Sequence, residues 1–246
     1  MKILILGHSG MLGHMVKKYL EQYYEIKTVN HRWPSKEFKN TVIDSDADFL
    51  INCIGAIPQR TKDFDINWKL PIWLDKYFNG RIVHPSTDCE MDDDDYGLSK
   101  AKAADWIMDS GERTKMIKAS IIGPELNGHA SMLYWFLSNE DGSQVNGYSN
   151  HTWNGITTLS WSKFCKRLIE GWEDYSKRII LGSKCVSKYE MCKSFNKVYN
   201  RSITVNSFET PKQVNKCLDA DIYLDNIEAQ LIEAKSFYEN KRLSLL

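Results

Sequence analysis

The chain carries no net charge. Thirty-two lysines and arginines balance thirty-two aspartates and glutamates. A neutral protein has no global electrostatic reason to seek nucleic acid or an anionic membrane. We therefore expect neither as a partner, although local patches can still bind a phosphorylated small molecule. Long apolar runs are also missing, and none approaches the ~20 residues that a membrane span needs. The N-terminal MKILILGHSG is too short in its apolar part, and too punctuated by glycine, for a signal peptide. The six cysteines, Cys53, Cys89, Cys165, Cys185, Cys192 and Cys217, include no C-x-x-C pair. Such scatter in a long chain points to buried or incidental free thiols in a reducing compartment, hence to a cytoplasmic protein. No histidine clusters with them, so no metal site is expected. Repeats are absent, and the single low-complexity segment is Asp92 to Asp95.

What the chain does have is 246 residues, 42% hydrophobic and 26% charged, ample for a core. Short apolar runs alternate with helical patterns. Strands are expected at Lys2–Leu6, Ile26–Val29, Thr41–Ile43, Phe49–Ile54, Arg81–His84 and Met116–Ile122. Helices are expected at Met11–Tyr23, Asn67–Phe78 and Leu98–Met108. This order predicts an α/β fold: a Rossmann-type, doubly wound parallel sheet covered on both faces. After Gly123-Pro124 the character changes to a stretch rich in Asn, Gly, Ser, Trp and Tyr. We read a dinucleotide-binding domain over 1–124 and a smaller C-terminal substrate-binding lobe over 125–246. That lobe carries helices at 161–173, 187–200 and 223–240, and returns a strand near 178–184 to the sheet. Apolar stripes (Phe164, Leu168, Ile169; Met191, Phe195, Val198) make its first two helices structural.

Gly7, Gly10 and Gly13 form G-x-x-G-x-x-G directly after the first strand and at the start of a helix. A tight turn, close backbone approach to a pyrophosphate and close helix packing all demand glycine, and the helix N-terminus then faces the phosphates. Ser9, Met11 and Leu12 complete this candidate cofactor loop. The second strand ends at Asn30-His31-Arg32, with no acid to accept from a ribose 2′-hydroxyl and with an arginine able to meet a 2′-phosphate. This favours NADP(H) over NAD(H), with Arg32 as the phosphate partner and His31 as helper; the alternative is a set of solvated loop charges. Asp44, at the end of the expected third strand, either binds the adenine amino group or caps the next helix.

Tyr96 and Lys100 are four residues apart, on one helix face. A phenol with its ordinary pKa of ~10 is a poor proton shuttle at neutral pH, and a neighbouring ammonium lowers that pKa. Lys100 can also hold the nicotinamide ribose. Thr87 ends the fifth strand on the carboxyl edge, where ligands of open α/β sheets sit, and its hydroxyl can hold a substrate oxygen near Tyr96.

At these residues the chain resembles the extended short-chain dehydrogenase/reductase superfamily, and within it dTDP-4-dehydrorhamnose reductases and related sugar-nucleotide reductases. The likeness rests on MKILILGHSGMLG, INCIGAIPQ, NWKLP, PSTDC, YGLSK, ASIIGPELN and NHTWNGITTL. It implies NADPH-dependent reduction of the 4-keto group of a nucleotide-linked deoxy-sugar, for surface polysaccharide or glycan precursor synthesis. It implies catalytic roles for Thr87, Tyr96 and Lys100. It adds Cys53, Ile54, Gly55, Asn67 and Ile121 to the cofactor contacts, Asn67 as the helix asparagine that supports the lysine. Ser86 and Asp88 flank the threonine as substrate contacts. Asn127, Trp135, His151, Trp153 and Asn154, together with His129, are the polar-aromatic candidates of the second lobe, with a plain core role as the alternative for Trp135 and Trp153. A homodimer fits the same likeness.

The chain departs from the pattern between the S-T-D strand end and the tyrosine. The family carries a longer loop there and two apolar residues after S-T-D-x. Here only Asp88 to Asp95 intervene, and Glu90-Met91 stands in the apolar place. Eight extended residues span about 25 Å, so the connection can be made. Dehydratases of the superfamily carry T-D-E. Glu90 falls one place late, on the opposite face if the segment is extended, which disfavours a dehydratase. A sugar-nucleotide epimerase stays open, as does a non-catalytic dinucleotide-binding regulatory subunit. Asp92 to Asp95 are read as a solvated loop that becomes the N-cap and first turn of the Tyr96 helix.

Overall fold

The computed structural model describes residues 1–126 and 130–240. It resolves into two compact units: Met1–Lys118 with Ser162–Ile179, and Ala119–Trp161 with the chain from Ile180 onward. The units are interleaved along the chain. The helix and following turn over 162–179 return to the first unit.

In the first part of the chain, β1 (Lys2–Leu6), α1 (Met11–Leu20), β2 (Glu25–Thr28), α2 (Lys36–Ile43), β3 (Phe49–Asn52), α3 (Ile66–Tyr77), β4 (Arg81–Ser86), α4 (Asp95–Ser110) and β5 (Thr114–Lys118) follow in order. Then come β6 (Ile121–Ile122), α5 (Met132–Leu137), β7 (Gln144–Tyr148), β8 (His151–Trp153), β9 (Ile156–Thr157), α6 (Thr158–Glu170) and β10 (Arg178–Gly182). The rest is β11 (Val186–Ser187), α7 (Lys188–Val198), β12 (Thr204–Phe208), β13 (Val214–Lys216), β14 (Ile222–Tyr223) and α8 (Ile227–Asn240). The main sheet runs β14-β10-β5-β4-β3-β1-β2. Its pairs β1·β2, β1·β3, β3·β4 and β4·β5 are all parallel. Ile3 to Leu6 and all of β3 are buried, as strands covered on both faces require. The expected doubly wound α/β fold is present.

Two expected strands differ for local reasons. Thr41–Ile43 lies in α2, not in a strand. Ser35 caps that helix by accepting from the Phe38 N–H at 3.2 Å, and Phe38 and Val42, four apart, both enter the core. The β-branched triplet is therefore overridden by a cap and a helical apolar face. Met116–Ile122 is not one strand either. β5 ends at Lys118, and Ile121–Ile122 pairs with Ile156–Thr157 in the second unit. Ser120 makes that break: its carbonyl accepts from the Ile156 N–H at 2.9 Å, and its hydroxyl from the Trp153 indole at 2.6 Å.

Asp75 fixes α3 to the sheet. Its carboxylate is buried and accepts from the N–H groups of Glu112 (3.0 Å) and Arg113 (3.1 Å) and from the Thr114 hydroxyl (2.6 Å). A buried carboxylate is tolerated when donors satisfy it in this way.

In the second unit, Phe136, Phe195, Met191, Val198 and Leu231 share one core cluster. α7 opens with a reciprocal Ser187–Glu190 capping box. Phe164, Leu168 and Ile169 on α6 are buried, the structural role their spacing predicts. The reading of all six cysteines as free thiols is corrected here. Cys185 and Cys217 form a disulfide, with Cα atoms 5.9 Å apart across a separation of 32 residues. Such a pair leaves no spacing signature, because the fold and not the local chain brings it together. The four remaining cysteines, Cys53, Cys89, Cys165 and Cys192, lie outside the disulfide, and burial pushes the Cys192 thiol up to about 11.

Candidate active site

The glycine loop is built backbone on backbone. Gly7 has φ +70°, the left-handed region that side chains rarely adopt. A Cβ there would lie 2.8 Å from the Cys53 carbonyl oxygen, and one at Gly13 would lie 2.1 Å from the Gly7 oxygen. The Gly10 N–H donates to that same Gly7 oxygen at 3.0 Å. Gly10 is the N-cap of α1 and supplies no side-chain acceptor. No side chain caps the first N–H groups of the helix, which suits an anion. The buried Nδ1 of His8 has no hydrogen-bond partner in this loop. Ser9 is exposed at its tip, Met11 is half-buried and Leu12 enters the core. Asn30, His31 and Arg32 are exposed after β2. Asp44 is the C-cap of α2, not the end of a strand.

A second cluster joins three elements. After β3, the Ile54 N–H donates to the Asn52 carboxamide at 3.1 Å, and Gly55 is exposed. Asn67, buried near the start of α3, grips the next residue from both sides. It accepts from the Ala56 N–H at 2.7 Å and donates to the Ala56 carbonyl at 3.0 Å. It also donates to the Ser99 hydroxyl on α4 at 3.0 Å. A Cβ on Gly55 would sit 3.4 Å from Asn67 Oδ1 and 3.7 Å from Lys100 Nζ. Gly55, Asn67 and Lys100 therefore converge. Asn67 acts on the helix through Ser99, one residue from the lysine. Below them, buried His84 shares a 3.2 Å hydrogen bond with Asn52, and burial and the Lys100 ammonium hold its imidazole well below its ordinary pKa.

The short connection folds tightly. Asp88–Met91 forms a single 3-10 turn, not an extended segment, with Thr87 as its cap. Asp94 caps α4, accepting from the Gly97 N–H at 2.7 Å, and Asp95 stands in the first turn. Gly97 packs directly on the turn: a Cβ there would meet the carbonyl oxygens of Cys89 and Asp92 at 2.5 Å each. The Thr87 hydroxyl acts on the Tyr96 phenol, favouring its ionised form. Thr87 also donates to Asp88 Oδ1 at 3.0 Å and accepts from the Cys89 N–H at 3.3 Å. Phe64 meets the Tyr96 ring edge-on at 5.7 Å between centroids.

The electrostatics differ from the simple expectation for a Tyr-Lys pair. Burial, and then Cys89 and Asp88, push the Tyr96 phenol above its ordinary pKa, while the Thr87 hydroxyl opposes them. The phenol is held protonated. Burial lowers the pKa of Lys100, with Glu90 and Cys89 acting against it.

Glu90 and Lys118 were missed by sequence reasoning. The 3-10 turn carries Glu90 inward instead of to the far face of an extended strand. Its Oε2 accepts from Lys118 Nζ at 2.7 Å, with the two side chains 6% and 8% exposed. Its Oε1 is buried without a partner, and so is the hydroxyl of Ser86, the cross-strand neighbour of Lys118.

Among the second-unit candidates, Ile121 is half-buried in β6. Trp153 is buried and bonded to Ser120, and His151 Nε2 lies 2.7 Å from the Thr210 hydroxyl. Asn154 is buried and spends its amide on the Leu218 backbone, donating to the carbonyl and accepting from the N–H, both at 2.8 Å. Trp135 on α5 keeps 43% of its surface exposed. Asn127 and His129 lie outside the described residues.

No protein-family model matches the chain, and no curated protein matches it in sequence. Solved structures do match over nearly its full length. The dTDP-4-dehydrorhamnose reductase of Bacillus anthracis, solved with NADP, superposes with a TM-score of 0.73 at 13% identity, covering 97% of this chain and 99% of that one. The UDP-glucose 4-epimerase of Thermotoga maritima, solved with UDP-glucose, gives 0.71 at 13% identity, with 98% and 100% covered. The UDP-glucuronic acid 4-epimerase of Bacillus cereus, a variant solved with a fluorinated substrate and NAD, gives 0.71 at 14%, again with 98% and 100% covered. At these identities the likeness establishes the fold alone: a Rossmann-type α/β architecture like that of these sugar-nucleotide reductases and epimerases.

Proposed function

We propose that the chain is an NADPH-dependent reductase of the 4-keto group of a nucleotide-linked deoxy-sugar, in the manner of dTDP-4-dehydrorhamnose reductases. The observation that carries this reading is that the tight 3-10 turn after Thr87 leads directly into the helix of Tyr96 and Lys100, whose ammonium converges with Gly55 and Asn67. The residues also fit a dinucleotide. Gly7 and Gly13 pack so closely on backbone that a Cβ would collide, which makes the turn tight, and the uncapped start of α1 offers N–H donors to a pyrophosphate. Arg32 and His31 would meet a 2′-phosphate, which is the basis for preferring NADPH to NADH. Gly55, Asn67 and Lys100 would hold the nicotinamide ribose.

When bound, the nicotinamide would supply a hydride to the sugar carbonyl carbon. The chain's own groups do the rest. The Thr87 hydroxyl orients the carbonyl oxygen. The Tyr96 phenol, held protonated, hydrogen-bonds that oxygen and delivers its proton as negative charge develops there. Lys100 stabilises the phenolate left behind. Ser86 and Asp88 bound the same carboxyl edge as substrate contacts.

The equally good superposition of 4-epimerases supports a second reading, in which the same groups oxidise and re-reduce the sugar carbon. The test is Tyr96→Phe. Turnover of a 4-keto sugar nucleotide should fall by at least about a hundredfold, as loss of a general acid does, with NADPH binding retained. Normal turnover would remove Tyr96 from the chemistry.

A further inference from the structure

The stretch from Thr204 to Asn226 lies on the second unit without entering its core. No described residue in it is buried, although Ile203 before it and Ile227 after it are each 2% exposed. Val205, half-buried, packs against the core cluster. Backbone pairing holds the stretch along three strands: β12 on β7, β13 on β8 and β14 on β10. A segment with so little buried apolar surface belongs to the least stable part of a fold and opens locally before the rest. It is a strap laid across the unit.

What the strap covers is specific. β8 is the middle strand of the β11-β8-β13 sheet, and the polar side chains along it and at its ends bond to the strap. Asn150 donates to the Thr210 carbonyl at 2.7 Å and accepts from the Thr210 N–H at 3.1 Å. His151 Nε2 meets the Thr210 hydroxyl at 2.7 Å, and the Thr152 hydroxyl donates to Asn215 Oδ1 at 3.0 Å. Asn154 grips the Leu218 backbone from both sides. Beside Leu218 stands Cys217, the strap's covalent tie. Its partner Cys185 lies just before β11, on the other side of β8. That side is also fastened near Asn154. The Ser183 N–H donates to the Asn154 carbonyl at 2.7 Å, and the Ser183 hydroxyl to the Gly155 carbonyl at 2.8 Å. The disulfide thus joins the two flanks of β8. Cys185 is exposed and Cys217 half-buried, so a dissolved thiol reaches the bond, and exposed disulfides are the labile ones.

We propose that the Cys185–Cys217 disulfide is a reversible thiol–disulfide site that latches the strap over β8, with a dithiol reductant as its co-reactant. A thiolate of the dithiol attacks the exposed Cys185 sulfur, the bond to Cys217 breaks, and Cys217 leaves as thiolate. The second thiolate of the reductant then attacks the mixed disulfide and releases Cys185. Both cysteines take up protons, and two electrons pass from the dithiol, which becomes a disulfide. Without the latch, the strap keeps only its strand pairing, the Val205 contact and its side-chain hydrogen bonds. Each opening hands Asn150, His151, Thr152 and Asn154 back to solvent. Redox state thereby sets how often the polar face of β8 is uncovered. The inference does not depend on the assignment of the reaction.

The experiment is hydrogen–deuterium exchange of the full chain, oxidised and after treatment with dithiothreitol, paired with iodoacetamide labelling read by peptide mass spectrometry. It is run below the melting temperature of the reduced protein. Cys185 and Cys217 should resist labelling in the oxidised protein and label after reduction, with the circular dichroism spectrum unchanged. Peptides over 204–226 and 150–154 should then exchange about tenfold faster or more, while β1, β3 and α7 hold their protection. Reoxidation should restore the slow exchange. Cys217→Ala should match the reduced protein and no longer respond to dithiothreitol. Three results would overturn the proposal: a disulfide that yields to dithiol only when the unit unfolds, strap exchange unchanged by reduction, or exchange rising equally in α7 and the strap. The first and third would make the bond a structural staple.

Discussion

Replacing Asn67 with alanine removes three hydrogen bonds at once. The Ala56 N–H loses its acceptor at 2.7 Å, the Ala56 carbonyl its donor at 3.0 Å and the Ser99 hydroxyl its donor at 3.0 Å. The side chain is only 1% exposed, so water does not replace these partners without opening the structure. At about 1 kcal/mol net for each bond, the variant should lose about 3 kcal/mol of stability. For a domain of this size, 1 kcal/mol moves Tm by roughly 2–4 °C, so unfolding should come about 6–12 °C earlier. Circular dichroism melts of wild type and Asn67→Ala read this directly. Fluorescence titration with NADPH reads the second consequence, weaker binding, because the Gly55–Ala56 loop and Lys100 lose their common brace. A double-mutant cycle with Ser99→Ala should return a coupling of about 1 kcal/mol for the 3.0 Å bond. A variant that melts within about 2 °C of wild type and binds NADPH unchanged would refute the bracing role.

Arg32→Ala should weaken NADPH about tenfold or more, the worth of a charge-assisted phosphate contact, and leave NADH unchanged; equal effects on both cofactors would refute the assignment. Cys185→Ser should destabilise the second unit by about 3.7 kcal/mol on the chain-entropy model, since the disulfide closes a loop set by a 32-residue separation. Scanning calorimetry with and without reductant measures this, and a Tm insensitive to reductant would contradict it. Burial holds the imidazoles of His14 and His84 below their ordinary pKa. The unfolded chain therefore binds protons that the folded chain does not, and Tm should fall as pH drops below about 6.5. His84→Gln should flatten that fall.

Much of this was legible in the sequence because local rules govern it. G-x-x-G-x-x-G after β1 needs glycine for reasons of backbone contact, and Gly7 and Gly13 show that contact. Tyr96 and Lys100 share a helix face by spacing alone. Asp94 and Asp95 reveal themselves as the start of a helix by their type and position. What escaped depends on how distant segments meet. Thr41–Ile43 looked like a strand because β-branched residues favour strands, but Ser35 and the Phe38–Val42 spacing set a helix. Glu90 was assigned to the wrong face because a 3-10 turn of four residues has no strong sequence signature. Its partner Lys118 is 28 residues away, and Cys185 and Cys217 are likewise brought together by the fold. In the second unit, the polar atoms of Trp153 and Asn154 proved to be spent on internal hydrogen bonds, which residue type alone could not foretell.

The central claim is that the Thr87, Tyr96 and Lys100 cluster carries out a net reduction of a 4-keto sugar. Purified protein should be mixed with NADPH deuterated at the transferable C4 position and with dTDP-linked 4-keto-6-deoxyhexose, and the product examined by mass spectrometry and proton NMR. The account predicts stoichiometric NADPH oxidation and one deuterium on carbon 4 of the sugar. No oxidation in a protein that binds NADPH, or a sugar inverted at carbon 4 without label, would contradict it.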